Sequence, residues 1–369
     1  MGRWTAGDAE AAAAAREAKL DEAHERLAAA VEAMASGDGY RRAIEFAARF
    51  RSRSFSNTLL IMAQHAEAYE AGRVATPEPT FVAGYRQWQH LGRQVMKGQP
   101  GYVILAPVTA RYATPDTVSG PWRLLPRGEA PEPGEVVRER LTGTRPAHVW
   151  DVTQTEGDPL PQQPMPQLLR GAAPEGLWDG LAAQVAGDGY ALRRVPTALS
   201  IAGANGLTDF MAKTVTVRGD MDAAAQVKTL AHELGHVRLH SPDAADAHAH
   251  RGVVEVEAET VALMIGAAHG LDTAEYSVPY VTSWAGSVPD KTVFDVVTAT
   301  AERARKTAVE ILERLDTHQI GDGEPPGMAA ARDRAARDGG ARAGAAGERQ
   351  IPRPARRNRP STRATVVTR

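Results

Sequence analysis

The chain has 369 residues, 43% hydrophobic and 24% charged, with no cysteine and a formal net charge of −2. That length exceeds what one core usually serves, and the composition excludes a wholly disordered chain. Without cysteine there is no disulfide, thiolate ligand or thiol nucleophile, and no apolar run approaches the roughly eighteen residues of a membrane-spanning helix.

Charge is unevenly placed: residues 1–40 carry net −4, 41–111 net +6, 112–330 net −12 and 331–369 net +8. Two basic blocks on an acidic chain point to a polyanionic partner for those blocks alone. The opening residues lack the apolar core of a secretory signal, so a cytoplasmic location is expected.

Leu20, Leu27, Val31 and Met34 recur at helical spacing and Gly37 supplies a stop. A second helix is expected through Ile44, Ala47 and Phe50. A third, capped by Ser56, runs through Leu59, Leu60 and Ala63. Thr80 precedes a short helix holding Tyr85, Trp88 and Leu91, which Gly92 ends. Val95–Met96 and Tyr102–Val108 read as strands around a Lys97–Gly101 turn. Half of the 24 prolines lie between Pro107 and Pro174, with His148–Val152 as a returning strand and 157–176 as an interdomain linker. Beyond it, a helix around Trp178–Val185, a strand at Thr214–Val217 and helices over about 222–240 and 253–268 are expected. A closing helix carries Val293, Val297, Ala301, Ala304, Ala308, Ile311 and Leu315 on one stripe. From Gly321 periodicity stops, and a disordered basic tail is expected.

The sharpest motif is His232-Glu233-Leu234-Gly235-His236. Histidines at i and i+4 share a helical face, so both rings can reach one cation. Glu233, one residue on, is placed to hold water instead of metal. On the next helix Glu255 and Glu259 share a face, while Glu257 points roughly 160° away. Glu255 is therefore the expected third ligand, and Glu259 an acceptor for the free N–H of a ligand histidine. Glu257 is expected to face solvent or to be structural. Three such ligands suit zinc, or another divalent transition metal, with a fourth position left for water. His240, His248, His250 and His269 are not expected to be primary ligands; His240 reads as a helix C-terminal cap.

With those residues in hand, the C-terminal half resembles the gluzincin metallopeptidase-like domain shared by ArdC-type antirestriction proteins and the ImmA/IrrE peptidases. The likeness runs over roughly 177–320, through the His-Glu-Leu-Gly-His helix, Glu255–Glu259 and Tyr276–Trp284. The N-terminal half resembles the single-stranded-DNA-binding domain of ArdC-type proteins, at Phe50–Gln64, Phe81–Gly92, Val95–Ile104 and Val149–Gly157. The resemblance implies single-stranded DNA binding that shields transferred DNA from restriction, beside a zincin-like domain with His232, His236 and Glu255 as ligands and Glu233 as base. The 110–147 excursion and the basic tail match nothing in that pattern. The alternative function is an active metalloendopeptidase that cuts a DNA-associated protein or repressor, with the N-terminal domain as targeting module.

The residues support the DNA partner independently. Arg49, Arg51 and Arg53 crowd one helix and its following loop, and Lys97 sits in a glycine turn open to a phosphate. Tyr85 and Trp88 at i and i+3 fit either base stacking or core packing. Asn57 fits a cap, a turn or a nucleotide contact. In the zincin half, Thr214–Val217 is the expected substrate-pairing edge strand, and Tyr280 fits either an oxyanion contact or the core.

The expected fold is α+β in two domains. A helical extension (1–39) precedes a DNA-binding α+β domain (40–156). The proline-rich linker (157–176) holds it apart from a mainly helical zincin-like domain with a small sheet (177–320), and the basic tail follows (321–369).

Overall fold

The structure, a computed structural model, describes residues 6–34, 36–117, 120–160, 171–241, 251–273, 284–286, 288–328 and 331. Three helices come first. Helix α1 (Ala6–Ala33) is alanine-rich; of the expected seam it buries Leu27 and Val31 and half-buries Leu20, and Met34 just beyond its end is buried too. Ser36 caps α2 (Gly37–Arg49), its hydroxyl accepting from the Gly39 N–H at 3.0 Å. Helix α3 (Phe55–Glu70) is capped by Ser54, not by Ser56, which already lies inside it. Its first N–H, on Phe55, is taken by the Glu302 carboxylate at 2.7 Å.

A four-stranded antiparallel sheet follows, in the order β1 (Val82–Ala83), β5 (Val136–Asp151), β3 (Tyr102–Thr114), β4 (Arg123–Leu125). The short α4 (Tyr85–His90) follows β1, and β2 (Arg93–Val95) pairs with β6 (Thr155–Gly157). The proline-rich excursion is thus no irregular loop: β3 and β5 pair along their lengths, with one register shift between Val108 and Thr109. Pro107 and Pro146 are tolerated because β1 pairs only near Asp151 and β4 only from Arg111, so both sit where the outer edge of the ribbon carries no further strand.

The second half contains α5 (Leu177–Gly187), β7 (Ala191–Val195), β8 (Gly206–Asp209), β9 (Thr214–Arg218), α6 (Ala223–Leu239), α7 (Arg251–Ala268) and α8 (Val293–Glu313). Its sheet runs β7–β9–β8, with β7 parallel and β8 antiparallel to β9. Thr214–Val217 is therefore the central strand, and the edge beside α6 is β8. Gly206 opens β8 and the strand is short, so it carries little sequence signal.

The halves are not held apart. One continuous core joins Tyr40, Ile44 and Ala47 of α2 and Phe55, Leu59 and Leu60 of α3 to Leu230 and Leu234 of α6, Val261 and Ile265 of α7, and the expected closing stripe from Val297 to Leu315, whereas Val293 at its start is exposed. Buried polar contacts cross the same boundary. The Tyr40 hydroxyl lies 3.1 Å from Thr260 Oγ1, and Arg305 donates to the Arg51 carbonyl at 2.8 Å. The chain after α8 also returns to the first half. Val82 N–H donates to the Gly323 carbonyl at 3.0 Å, and Met328 is buried with Ala83 and Trp88. The expected disorder from Gly321 thus does not hold for 321–328, a glycine- and proline-rich strap held by buried Met328 and by hydrogen bonds to the Asp322 and Gly323 carbonyls. The rest of the basic tail and linker residues 161–170 lie outside the described residues.

Candidate functional site

Helix α6 is fixed at its start by Asp222, whose carboxylate accepts from the Ala225 N–H at 2.8 Å. Val227, Leu230, Ala231, Leu234 and Val237 turn into the core, which leaves His232 and His236 facing α7. Gly235 lets that helix come close: a Cβ there would lie 3.2 Å from the Ala258 Cα. The close crossing brings Glu255 and Glu259 to the two imidazoles.

The Nε2 atoms of His232 and His236 are 3.0 Å apart, and Glu255 Oε2 is 3.6 Å and 3.8 Å from them. Ligands about 2.0–2.1 Å from a tetrahedral zinc ion stand about 3.3 Å from one another, so the donor set fits such an ion with small shifts. Charge agrees. Among the described residues, the ion pairs of Glu233, Glu255, Glu257 and Glu259 with permanent cations are to Lys228 and Arg303, an excess of negative charge that a dication matches. Burial alone would lower the His232 pKa, but hydrogen bonds with Glu255 and Glu259 outweigh it and push it up to about 9. The same two histidines hold Glu255 well below the usual carboxylate range. Burial opposes ionisation of Glu259, yet His232 and Lys228 keep it below its ordinary value.

Each of the two histidines is held from behind. His232 Nδ1 is 3.1 Å from Glu259 Oε2, whose other oxygen is 3.1 Å from Lys228 Nζ. His236 Nδ1 is 2.9 Å from His240 Nδ1, and His240 Nε2 is 3.0 Å from Glu257 Oε2. Glu257 also accepts from Arg303 Nε at 2.8 Å. Of the two places open to it, Glu257 takes the structural one and is 1% exposed. His240 is more than a helix cap, and its i+4 spacing from His236 was the available signal. Arg303, on α8, had none.

Glu233 lies in the same cleft, beside but outside the cluster of His232, His236 and Glu255, and is 6% exposed. Thr208 of β8 donates to its Oε2 at 2.7 Å, and Gly206 passes so close that a side chain there would strike the carboxylate. Sequence reasoning missed both, because β8 was not recognised. The cleft holds about 560 Å³ and is walled by Asn205, Gly206 and Met221 opposite Lys228, Val256 and Glu259. Tyr280, His248 and His250 lie outside the described residues. His269 is buried elsewhere, its ring nitrogens 2.7 Å from the Ile265 carbonyl and 2.8 Å from Thr317 Oγ1.

The residues expected to meet DNA are divided. Arg49 pairs with Glu78 at 2.5 Å, and Arg51 donates to the carbonyls of Ala48 and Ile320. Arg53 donates to the Val82 carbonyl. Arg51 and Arg53 therefore brace the fold, whereas the Arg49–Glu78 pair lies at the surface. Asn57 is largely buried and bonds both the N–H and the carbonyl of Leu105, tying α3 to β3. Trp88 is fully buried, with Nε1–H donating to the Trp150 carbonyl, so of its two readings the core holds. Tyr85 is 41% exposed and Lys97 lies at the surface.

Residues 16–145 match the family described as the N-terminal domain of anti-restriction factor ArdC. Among solved structures, the metal-free and Mn(II)-bound crystal structures of antirestriction ArdC protein from plasmid R388 are each 20% identical to this chain. Each covers 71% of this chain and 84% of its own, with TM-scores of 0.42 and 0.40. The comparison with curated proteins gave no match. The family match covers residues 16–145 and so takes in the long β3–β5 ribbon almost to its end. No helix among the described residues is long and apolar enough to cross a membrane.

Proposed function

We propose that this chain is an antirestriction-type protein that binds single-stranded DNA with its first half and carries a zinc-dependent metallopeptidase of the gluzincin type in its second. The family match over 16–145 supports the first part, together with the net +6 of residues 41–111. The single observation that carries the second is Glu233, held by Thr208 at 2.7 Å beside the His232, His236 and Glu255 triplet. A purely structural metal site has no use for that carboxylate.

His232, His236 and Glu255 would hold the ion, zinc or another divalent transition metal. When bound, it supplies Lewis acidity that lets a water lose its proton near neutral pH. Glu233 would serve as the base for that proton and as the acid for the leaving amine, with Thr208 holding its carboxylate through Oε2. Glu259 and His240 fix the rings of the two histidines. Among the described residues β8 pairs with β9 alone, so its other side offers an extended polypeptide a backbone to pair with, and Leu207 on that strand is exposed. The net −12 of residues 112–330 disfavours a phosphate backbone in the cleft, so DNA and polypeptide would use different faces.

A second reading, in which the peptidase cuts a DNA-associated protein or repressor and the first half only targets it, draws on the same Glu233 geometry. Single-stranded DNA binding measured beside a general protease assay, for wild type and Glu233→Gln, separates the two. Proteolysis lost in Glu233→Gln with DNA binding intact supports a working peptidase. No proteolysis in metal-loaded wild type sinks it and leaves DNA protection.

A further inference from the structure

We infer that the outer face of the β3–β5 ribbon, where Tyr85, Trp150 and His148 form an aromatic ledge, is the site that takes unpaired bases of single-stranded DNA. The inference rests on the DNA-binding reading above and names its contact surface.

Val149 and Tyr102 turn into the core, so their neighbours His148, Trp150, Gly101 and Val103 stand on the opposite face of the ribbon. Three rings line up there. The centroids of Tyr85 and Trp150 are 5.9 Å apart at 71°, and those of His148 and Trp150 are 6.3 Å apart at 32°. Trp150 is anchored rather than free. Its Nε1–H donates to the Gln99 carbonyl at 3.2 Å, and its carbonyl accepts from Trp88 at 3.0 Å. Gly101 is what lets it lie flat: a Cβ at that position would come 2.7 Å from the indole ring and 3.0 Å from the His148 Cβ. Tyr85 and His148 are exposed, although folding normally covers rings of this size. A rigid indole flanked by two accessible rings is a stacking platform, and stacking tolerates any base.

The charges around the ledge suit a phosphate backbone. Lys97 lies in the turn two residues before Gln99, Arg86 follows Tyr85 on α4, and Lys19 of α1 is close enough to His148 to depress its pKa after burial has done so. Unlike Arg49, Arg51 and Arg53, none of these three cations has a carboxylate or carbonyl partner among the described residues. Unpaired cations beside exposed rings leave both the backbone and the bases of one strand something to bind.

The test uses the full-length protein and two labelled strands of equal length, an oligothymidylate and a strand of abasic sites, read by fluorescence anisotropy. Both carry the phosphates, and only one carries bases. Wild type should bind the thymidylate at least about fivefold more tightly than the abasic strand, the lower end of what one stacked base contributes. Tyr85→Ala should bring the two affinities together, whereas Tyr85→Phe, which keeps the ring, should preserve the gap. Lys97→Glu should weaken both strands alike. Thermal melting shows that each variant is folded, and loss of tryptophan quenching by thymidylate in Trp150→Phe provides an independent readout. Equal wild-type affinity for the two strands, or an unchanged gap in Tyr85→Ala, overturns the ledge while the DNA reading stands. If wild type binds neither strand, the DNA reading falls and the ledge with it.

Discussion

His236 and His240 face each other through their Nδ1 atoms, 2.9 Å apart, and the far nitrogen of His240 reaches the buried carboxylate of Glu257 at 3.0 Å. Only one assignment of protons serves a metal ligand. With Nε2 of His236 free to bind, its Nδ1–H donates to His240, which donates its own Nε2–H to Glu257. The carboxylate of a usual carboxylate–histidine–metal arrangement is thereby moved one ring further out, and Arg303 holds it in place.

That chain should be felt in metal affinity. Glu257→Gln and His240→Phe are each expected to weaken metal binding about 10–100-fold, the usual cost of losing such support. Glu259→Gln should do the same through His232. Chelator competition on the folded protein measures it. Affinities within twofold of wild type in all three variants would show that the rings are oriented by packing alone.

Thr208 and Glu233 make a second pair. A hydroxyl donating to a buried carboxylate contributes about 1.5–3 kcal/mol, so Thr208→Val should destabilise the metal-free protein by that amount while leaving its shape intact. In the Glu233→Gln background the same change should cost less. A double-mutant cycle in urea reads the coupling, and additive effects would remove Thr208 from the role given to it.

Much of this site could be read in the sequence because it depends on helical periodicity. Spacing alone put His232, His236, Glu255 and Glu259 on facing surfaces, and the helices that carry them formed where expected. What stayed hidden needed a contact between distant elements. Thr208 arrives on a four-residue strand too short to show alternation, and Arg303 arrives from α8. Arg51 shows the same limit: it reads as surface charge until the strap after α8 supplies the Ile320 carbonyl. The strands at Tyr102–Val108 and His148–Val152 were legible, but their continuation through the proline-rich stretch was not, since the pairing partners lie up to 47 residues apart, as for Tyr102 and Val149.

His269 gives a pH prediction away from the metal. Burial lowers its pKa, the nearby Arg51 charge does too, and its two nitrogens suit a neutral ring that donates to Ile265 and accepts from Thr317. The unfolded chain, with a pKa of about 6.5, binds this proton more readily than the folded one. Stability is therefore full above that value and is lost as pH falls below it toward the folded pKa. Denaturation at pH 7.5 and 5.5 should show the loss in wild type and a smaller loss in His269→Gln. An identical loss in both would assign the acid sensitivity to other groups.

The shared core predicts that the two halves unfold together, which the proline-rich linker taken alone does not suggest. Ile44 of α2 is fully buried among residues of α6, α7 and α8, and Tyr40 beside it touches Thr260 on the helix that carries Glu255. Ile44→Ala should cost about 2–5 kcal/mol, as for other core truncations. The loss should appear equally in a probe of the first half and a probe of the metal site, because one cooperative unit has one transition. Fragment 1–156 made alone would expose Tyr40, Ile44, Phe55 and Leu59 to water. It should aggregate or remain unfolded, and a fragment of 177–320 should fare no better without α2. Tryptophan fluorescence and metal release followed in the same thermal scan provide the measurement. Two separated midpoints, or a monomeric 1–156 that melts cooperatively and binds single-stranded DNA as the full chain does, would show that the interface is a docking contact between independent domains.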